Sequence, residues 1–190
     1  MRGGRLVVGA AMAVALGVAG CGSDPDPGSG ASARETTAAA TGVTAGDGGA
    51  TIDVDDLDAC AVITDAQVKA FFGEPGGEKS RLDQPYAASC SYDDASGDSY
   101  LSLVVQAPPD GAKKQFDYDK ASSRNVKPIS GLGDEGYSWQ NSGEAGLEIV
   151  YRGALVILSQ QPYRSKIEDP EAVIAKLTEL AGPTLKQIPN

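Results

Sequence analysis

The stretch AGLEIVYRGALVILSQQ, residues 145–161, decides the fold. Its two parts, Ala145–Arg152 and Gly153–Gln161, are rich in β-branched and large aliphatic residues, which are typical of strands. The dipeptide Arg152-Gly153 between them is short enough for a tight turn. The stretch therefore predicts two strands joined by a tight turn.

Further strands are predicted on the N-terminal side of this pair. Ala88–Asp94 and Ser99–Gln106 show alternating residues around a loop of sequence ASGD, and this pattern predicts a β-hairpin. A weaker strand is expected near Glu78–Leu82, and Tyr137–Trp139 favours another.

Two helices carry clear start and stop signals. The first begins after Thr64, which forms a capping box with Gln67, and it is expected to end at Gly73. The last helix begins after Asp169, has proline at its first position, and is expected to stop at Gly182.

A third helix is predicted between the two groups of strands, over Asp110–Arg124. Its polar composition indicates a surface helix, with Ala112, Phe116 and the segment Tyr118–Ala121 in reach of one face. The order helix, strands, helix, strands, helix predicts an α+β fold, an antiparallel sheet with helices packed against it. Its two halves look like a weak repeat of a helix followed by antiparallel strands.

The first residues have the three parts of a secretory signal, which we assign to residues 1–20. Arg2 and Arg5 are positive, Leu6–Ala19 is uncharged and mostly apolar, and small residues follow. A spanning helix needs about 20 apolar residues, so this run is short for a permanent anchor. Val18-Ala19-Gly20-Cys21 resembles the lipobox of bacterial lipoproteins, in which the cysteine thiol takes a diacylglyceryl group.

A low-complexity segment, residues 21–50, follows this cysteine. It is rich in Gly, Ala, Ser, Thr and Asp and has no aromatic residue. Such a composition cannot bury enough apolar surface to fold, so we expect a flexible tether. One α+β domain is then expected over residues 51–190.

With Cys21 acylated, Cys60 and Cys90 remain. Two cysteines in an exported domain favour one structural disulfide. The alternative is a redox pair, which usually needs a close C-x-x-C arrangement that this sequence lacks.

The charge pattern excludes several classes of function. The formal net charge is −10, and the acidic residues are scattered rather than clustered. An acidic surface argues against nucleic acid or anionic lipid headgroups as direct partners. The chain has no histidine, which removes histidine-based catalytic triads, metal sites and pH switches. No cofactor and no metal site are expected.

Four short blocks, in order, resemble one family. They are DACAVIT (58–64), CSY (90–92), GLGDEGY (131–137) and YRG (151–153) followed by an apolar strand. These blocks and the lipobox are similar to those of the actinobacterial lipoproteins known as the domain of unknown function 3558 family, over about residues 52–182. Ala59 stands where the family usually has proline, and Gly136 where it usually has alanine.

The resemblance implies a small α+β lipoprotein domain in an actinobacterial envelope, and it carries over no catalytic residue. The three glycines in GLGDEGY superficially match a dinucleotide-binding motif, but a strand rather than a helix is predicted after them.

The remaining candidates for chemistry each have a structural explanation. Asp134-Glu135 could act as an acid/base or cation-binding pair, although turn formation is favoured. Asp93-Asp94 and Asp98 bracket a hairpin loop, where turn chemistry is again favoured. Tyr137, Trp139 and Tyr151, with Tyr163, are candidates for a ligand groove, and the alternative is that they serve as core or cross-strand residues.

The sequence therefore predicts a lipoprotein on the outer face of the cytoplasmic membrane that binds a partner protein or an envelope ligand and is not an enzyme. One alternative is a small envelope hydrolase or transferase that uses carboxylates. Another is an accessory solute-binding lipoprotein.

Overall fold

The computed structural model describes residues 51–164 and 166–189, so the predicted signal segment 1–20, the tether 21–50 and the lipid site Cys21 lie outside the described residues. The described part is built on a seven-stranded antiparallel sheet of order β1-β2-β3-β7-β6-β5-β4. The strands are β1 Lys79–Gln84, β2 Ala87–Asp93, β3 Ser99–Gln106, β4 Lys127–Ile129, β5 Glu135–Asn141, β6 Glu144–Tyr151 and β7 Ala154–Pro162. The helices are α1 Ala59–Val62, α2 Asp65–Phe72, α3 Ala112–Ser122 and α4 Pro170–Gln187. The predicted α+β fold is confirmed.

The sheet consists of two meanders laid side by side. Strands β1 to β3 form one, β4 to β7 form the other, and β3 pairs with β7 where they meet. Arg152 and Gly153 both have positive φ, at 50° and 74°, which is the geometry of a two-residue hairpin turn. Each meander follows a helix, in agreement with the weak repeat in the sequence. The short edge strand β4 was not predicted, and its Pro128 suits an edge, where a missing N–H costs nothing.

Helix α2 begins and ends as predicted. The Thr64 hydroxyl accepts a hydrogen bond from the backbone N–H of Gln67, the Gln67 side chain accepts from the backbone of Thr64, and Gly73 adopts a left-handed conformation at the C-cap. The prediction that α4 stops at Gly182 is wrong, because the helix continues through Pro183 to Gln187. Its last turn buries Thr184 and Leu185, and Pro183 frees only the carbonyl of Glu179, an exposed residue whose carbonyl can bond to water.

Helices α1, α2 and α4 cover one face of the sheet, called here the inner face. The main core lies between these helices and the sheet, and the sheet contributes inward-facing residues of β2, β3, β6 and β7. Cys60 and Cys90 form a disulfide with their Cα atoms 5.0 Å apart, within the usual range. Cys60 lies in α1, a short helix that the sequence analysis did not predict. Four residues capped by Asp58 are too few to show a helical period.

Helix α3 packs on the opposite face, called here the outer face, against β6 and β7. It is not a pure surface helix, because Phe116 is fully buried and Ala112 nearly so. The expectation that Tyr118 shares their face is wrong, since its side chain is 71% exposed. At 3.6 residues per turn, two positions beyond Phe116 point to about the opposite side of a helix. Within the described ranges, no helix is both long and apolar enough to cross a membrane.

Candidate functional site on the outer sheet face

The outer face of the sheet has two unlike halves. The closed half is the part beneath α3, formed by outward-facing residues of β5, β6 and the first part of β7. The open half is the outward-facing side of β1, β2 and β3, which carries no helix among the described residues. Strand register places the halves side by side, because Gln106 of β3 pairs with Leu155 of β7 and Val104 pairs with Ile157.

Apolar packing under α3 holds the closed half together. Phe116 meets the ring of Tyr137 edge-on, with ring centroids 4.9 Å apart. Both residues are 0% exposed, and Val150 and Leu155 belong to the same cluster. Phe and Tyr each bury a large apolar area, so this contact anchors α3 on the sheet.

Trp139 forms the other end of the closed half. Its indole lies flat against Gly146 on the neighbouring strand, where an added Cβ would stand 2.5 Å from the ring. A glycine at this position is therefore required for the ring to approach the strand. The indole is 8% exposed and is part of the packed cluster.

A carboxyl group is buried in the centre of the closed half. Glu148 is 4% exposed, and the Tyr137 hydroxyl donates a hydrogen bond of 2.7 Å to its Oε2. Its Oε1 is buried without a hydrogen-bond partner among the described residues. Burial raises the pKa of Glu148 to about 7, and the nearby Asp119 of α3 raises it further while the Tyr137 hydrogen bond opposes the shift. Burial also raises the pKa of Tyr137, so this phenol stays protonated.

A carboxyl that titrates near neutral pH can serve as an acid or a base. Glu148 is covered by α3, however, so a substrate would reach it only after that helix moved. Sequence reasoning did not select Glu148. Its signal was a single charged residue inside an otherwise apolar strand, GLEIV at residues 146–150.

Ion pairs fasten α3 at both ends. The Glu135 carboxylate lies 3.1 Å from the Lys113 ammonium and 3.2 Å from that of Lys120, and these contacts lower the pKa of Glu135. Both lysines also approach the Phe116 ring, at 5.3 and 5.4 Å from its centroid. Glu135 is thus engaged with the helix, while its neighbour Asp134 donates its backbone N–H to the carbonyl of Val150.

The glycine-rich motif before β5 has a packing role. Gly133 has a φ of 61°, and a Cβ there would lie 2.4 Å from the Val150 carbonyl oxygen. The chain can therefore pass close to β6 only with glycine at this position. A strand follows the motif, as predicted, and not the helix that a dinucleotide site requires.

The open half forms a shallow concavity of about 300 Å³. Its lining is uncharged and consists of Leu82, Gln84, Ala87, Ser89, Ser91, Tyr100, Ser102, Val104 and Gln106. Ser102 lies deepest among its serines, at 8% exposure, while the Ser89 hydroxyl donates to the carbonyl of Leu82 at 2.6 Å. The floor of this half is made of hydroxyl, amide and small apolar groups.

Two tyrosines stand at one end of the open half. The rings of Tyr100 and Tyr163 have centroids 4.9 Å apart. The Tyr100 hydroxyl donates to the side-chain oxygen of Gln161, and the Tyr163 hydroxyl donates to Asp93 at 3.0 Å. These bonds hold both rings in place although Tyr163 is 55% exposed.

The aromatic candidates from the sequence do not line one groove. Tyr137 and Trp139 are buried in the closed half, whereas Tyr151 lies on the inner face, packed against the main core. Tyr163 alone of the four borders the open half. The sequence analysis did not bring Tyr100 together with Tyr163, because their contact depends on the pairing of β3 with β7.

The acidic loop between β2 and β3 has the turn chemistry that the sequence indicated. The Asp94 carboxylate accepts hydrogen bonds from the backbone N–H groups of Asp98 and Ser99 and from two serine hydroxyls. No group of three or more potential metal ligands occurs in the described part of the chain.

A larger concavity, about 530 Å³, lies between α2 and the start of β1. Two of its charged side chains pair with each other, since the Lys79 ammonium lies 2.5 Å from the Asp65 carboxylate. Lys79 also stands 5.6 Å from the centroid of the Tyr92 ring. We therefore place the candidate site on the open half of the outer face, where polar groups remain available.

The family described as "Protein of unknown function (DUF3558)" matches residues 16–169. The chain belongs to the DUF3558 family. The match begins before Cys21 and ends at Asp169, which caps α4, so it starts earlier and stops earlier than the resemblance in the sequence indicated. Both meanders and α3 lie within the DUF3558 match, whereas α4 lies beyond it. No curated protein and no solved structure matches the chain.

Proposed function

We propose that this protein is an exported lipoprotein, anchored through a diacylglyceryl group on Cys21, whose domain binds an envelope ligand or a partner protein outside the cytoplasmic membrane. The proposal has two parts. The location of the protein is argued from the N-terminal sequence and the disulfide, and the binding role is argued from the outer sheet face. The two parts rest on different observations and are tested separately.

Three observations support this location outside the cytoplasmic membrane. The lipobox-like Val18-Ala19-Gly20-Cys21 follows an apolar run with a positive start. The family match, which begins at residue 16, includes this four-residue segment. The Cys60–Cys90 disulfide suits an oxidising compartment outside the cytoplasm. Two acyl chains would hold the protein stably, because one chain alone is a marginal anchor.

The observation that carries the binding role is the open half of the outer face. It is an exposed concavity lined by polar side chains, and its two inner strands, β2 and β3, pair on both sides and are therefore rigid. A rigid scaffold that presents hydrogen-bonding groups favours recognition over chemistry. No carboxylate, lysine or cysteine occurs among the residues that line this concavity, so its serine hydroxyls have no base there to activate them.

One observation favours the hydrolase alternative. Glu148 has its pKa raised to about 7, which suits an acid/base catalyst. Its cover by α3 argues for the binding role instead. Turnover of an envelope substrate that disappears in Glu148→Gln would establish the alternative.

The lipid anchor and the membrane location are tested with the full chain expressed in a bacterial host that processes lipoproteins. We expect Cys21→Ser to lose the acyl mass and to leave the membrane fraction, because the thiol is the acylated group. The neighbouring substitution Ser23→Ala is the matched control and should stay acylated and membrane-bound. A Cys21→Ser chain that still carried acyl groups in the membrane would contradict the proposal, as would an unmodified Cys21 in the wild-type chain.

A further inference from the structure

The open half of the outer face carries no helix among the described residues. Two of its three strands already pair through their backbones on both sides, since β2 lies between β1 and β3 and β3 lies between β2 and β7, whereas β1 is the edge strand of the sheet. A ligand on this face therefore meets side chains rather than backbone groups. An extended peptide that paired through its backbone would bind along a sheet edge instead.

The side chains of this face are neutral in a strongly acidic protein. None of the residues that line the concavity is charged, although the chain carries a net charge of −10. Arg81 and Asp83 of β1 pair with each other at 2.7 Å and lie in register with inward-facing Cys90 and Ala88, so they belong to the other face. The carboxylate that borders the open half, Asp93 at the tyrosine end, accepts a hydrogen bond from Tyr163. An anionic ligand would meet no free cation in the floor, and a cationic ligand would meet no carboxylate there. Charge complementarity thus favours a neutral ligand.

The hydrogen-bonding groups of the floor both donate and accept. Serine hydroxyls and glutamine amides have this double capacity. Ser102 is 8% exposed and lies in the lining, where its hydroxyl can both donate to and accept from a ligand. Gln84 and Gln106 stand on the two outer strands of the concavity and flank it. A ligand rich in hydroxyl groups would match such groups one for one.

Apolar surface accompanies these polar groups. The Tyr100 ring lines one end of the concavity, and Tyr163 holds it from the side. Val104 lies in the floor. Two strand spacings from β1 to β3 make the open half about 10 Å wide. Linked sugar rings, which carry hydroxyls at their rims and C–H groups on their faces, fit a site of this width and composition.

We propose that the open half of the outer face binds a neutral, hydroxyl-rich glycan chain. This inference names the ligand class of the binding domain and so rests on the function proposed above. The glycan lies across β1, β2 and β3, with one ring against Tyr100 and a hydroxyl on Ser102.

The test uses the full chain, titrated by calorimetry with short unbranched oligosaccharides of glucose, of mannose and of galactose, and with a polygalacturonate oligomer of equal length. We expect at least one neutral oligosaccharide to bind with a dissociation constant below about 10 mM and the anionic oligomer to bind at least tenfold more weakly. Ser91→Arg, which places a large charged group on the face, should weaken binding by roughly tenfold or more, and Ser102→Ala by about fivefold. Ser122→Ala, an exposed serine on α3, is the matched control and should bind like the wild-type chain.

Four results would overturn the inference. They are no binding of any neutral oligosaccharide at about 10 mM, binding unaffected by both face variants, equal binding of the anionic oligomer, or binding of an uncharged Ser/Gly peptide with greater affinity than the sugars. The same titration on Cys21→Ser separates this inference from the anchoring. Glycan binding retained by that variant while anchoring is lost supports the site, and glycan binding absent from an acylated wild-type chain refutes the site alone.

Discussion

The closed and open halves of the outer face are built on one sheet, in continuous register, yet one half is buried and the other is exposed. Leu155 in the closed half is 0% exposed, while its cross-strand neighbour Gln106 in the open half is partly exposed. One helix, α3, makes the difference. The comparison shows that burial can change between two adjacent paired strands when a helix covers one strand and not the other.

The strand sequences reflect these surroundings. Strand β2, AASCSYD, alternates between fully buried and partly exposed residues, which is typical of a sheet with one solvated face. Strand β6, EAGLEIVY, is buried at six consecutive positions, as is typical of a strand covered on both faces. The exception is Glu148, the charged residue that the closed half buries and the open half would have left hydrated.

Removing the anchor of α3 should have the largest effect on the comparison. Phe116→Ala deletes a fully buried ring that packs against Tyr137, and such changes cost about 3–5 kcal/mol of unfolding free energy. Urea denaturation of the full chain measures it. Tyr118→Ala on the same helix is the control, and we expect it to change stability by less than about 0.5 kcal/mol. Equal effects of the two changes would mean that α3 does not close this half.

The buried carboxyl of the closed half should give the protein a pH-dependent stability. Because the folded pKa of Glu148, about 7, lies above its ordinary value of 4.5, its contribution is fully present below pH 4.5 and is lost as pH rises through 7. The loss is on the order of 3 kcal/mol. Glu148→Gln should remove this slope and be more stable than the wild-type chain above pH 7, as measured by denaturation between pH 4.5 and 8.

The matched control for this experiment is Glu135→Gln. The Glu135 pKa is lowered by Lys113 and Lys120, so its contribution is present above its ordinary pKa and is lost only as pH falls. This variant should keep the wild-type slope near neutral pH. A Glu148→Gln chain with an unchanged slope would show that Glu148 does not titrate in this range.

The smallest effect is expected at the boundary between the halves. Gln106→Ala, on the open side, should alter the free energy of unfolding by no more than about 0.5 kcal/mol, because it removes no packed group. Leu155→Ala, directly opposite, should cost about 2–5 kcal/mol because it empties a buried site. Thermal or urea unfolding compares them. A large loss in Gln106→Ala would show that the open half is packed, and hence not free to bind.

Local signals predicted most of the elements. The capping box at Thr64, the cap at Asp169 and the turn at Arg152-Gly153 all depend on contacts within a few residues, and the structure has each of them. The end of α4 was predicted wrongly because Gly182 and Pro183 end a helix only when the following turn buries no apolar side chain. Here that turn buries Leu185 against the core, a contact with distant parts of the chain.

The candidate site was harder to predict for a related reason. Tyr100 and Tyr163 are far apart in sequence and meet only because β3 and β7 pair. Tyr137, Trp139 and Tyr151 are near one another in sequence, but strand alternation and α3 place them in separate cores.

The sequence alone determined the α+β class, most element boundaries, the family and the two cysteines available for pairing, because each depends on local periodicity, capping or short motifs. The tertiary structure decided which half of the outer face is closed, which carboxyl is buried and which tyrosines stand beside an open concavity. The physical reason is that a strand's pattern records how many of its faces are buried, whereas the identity of the covering group depends on segments remote along the chain.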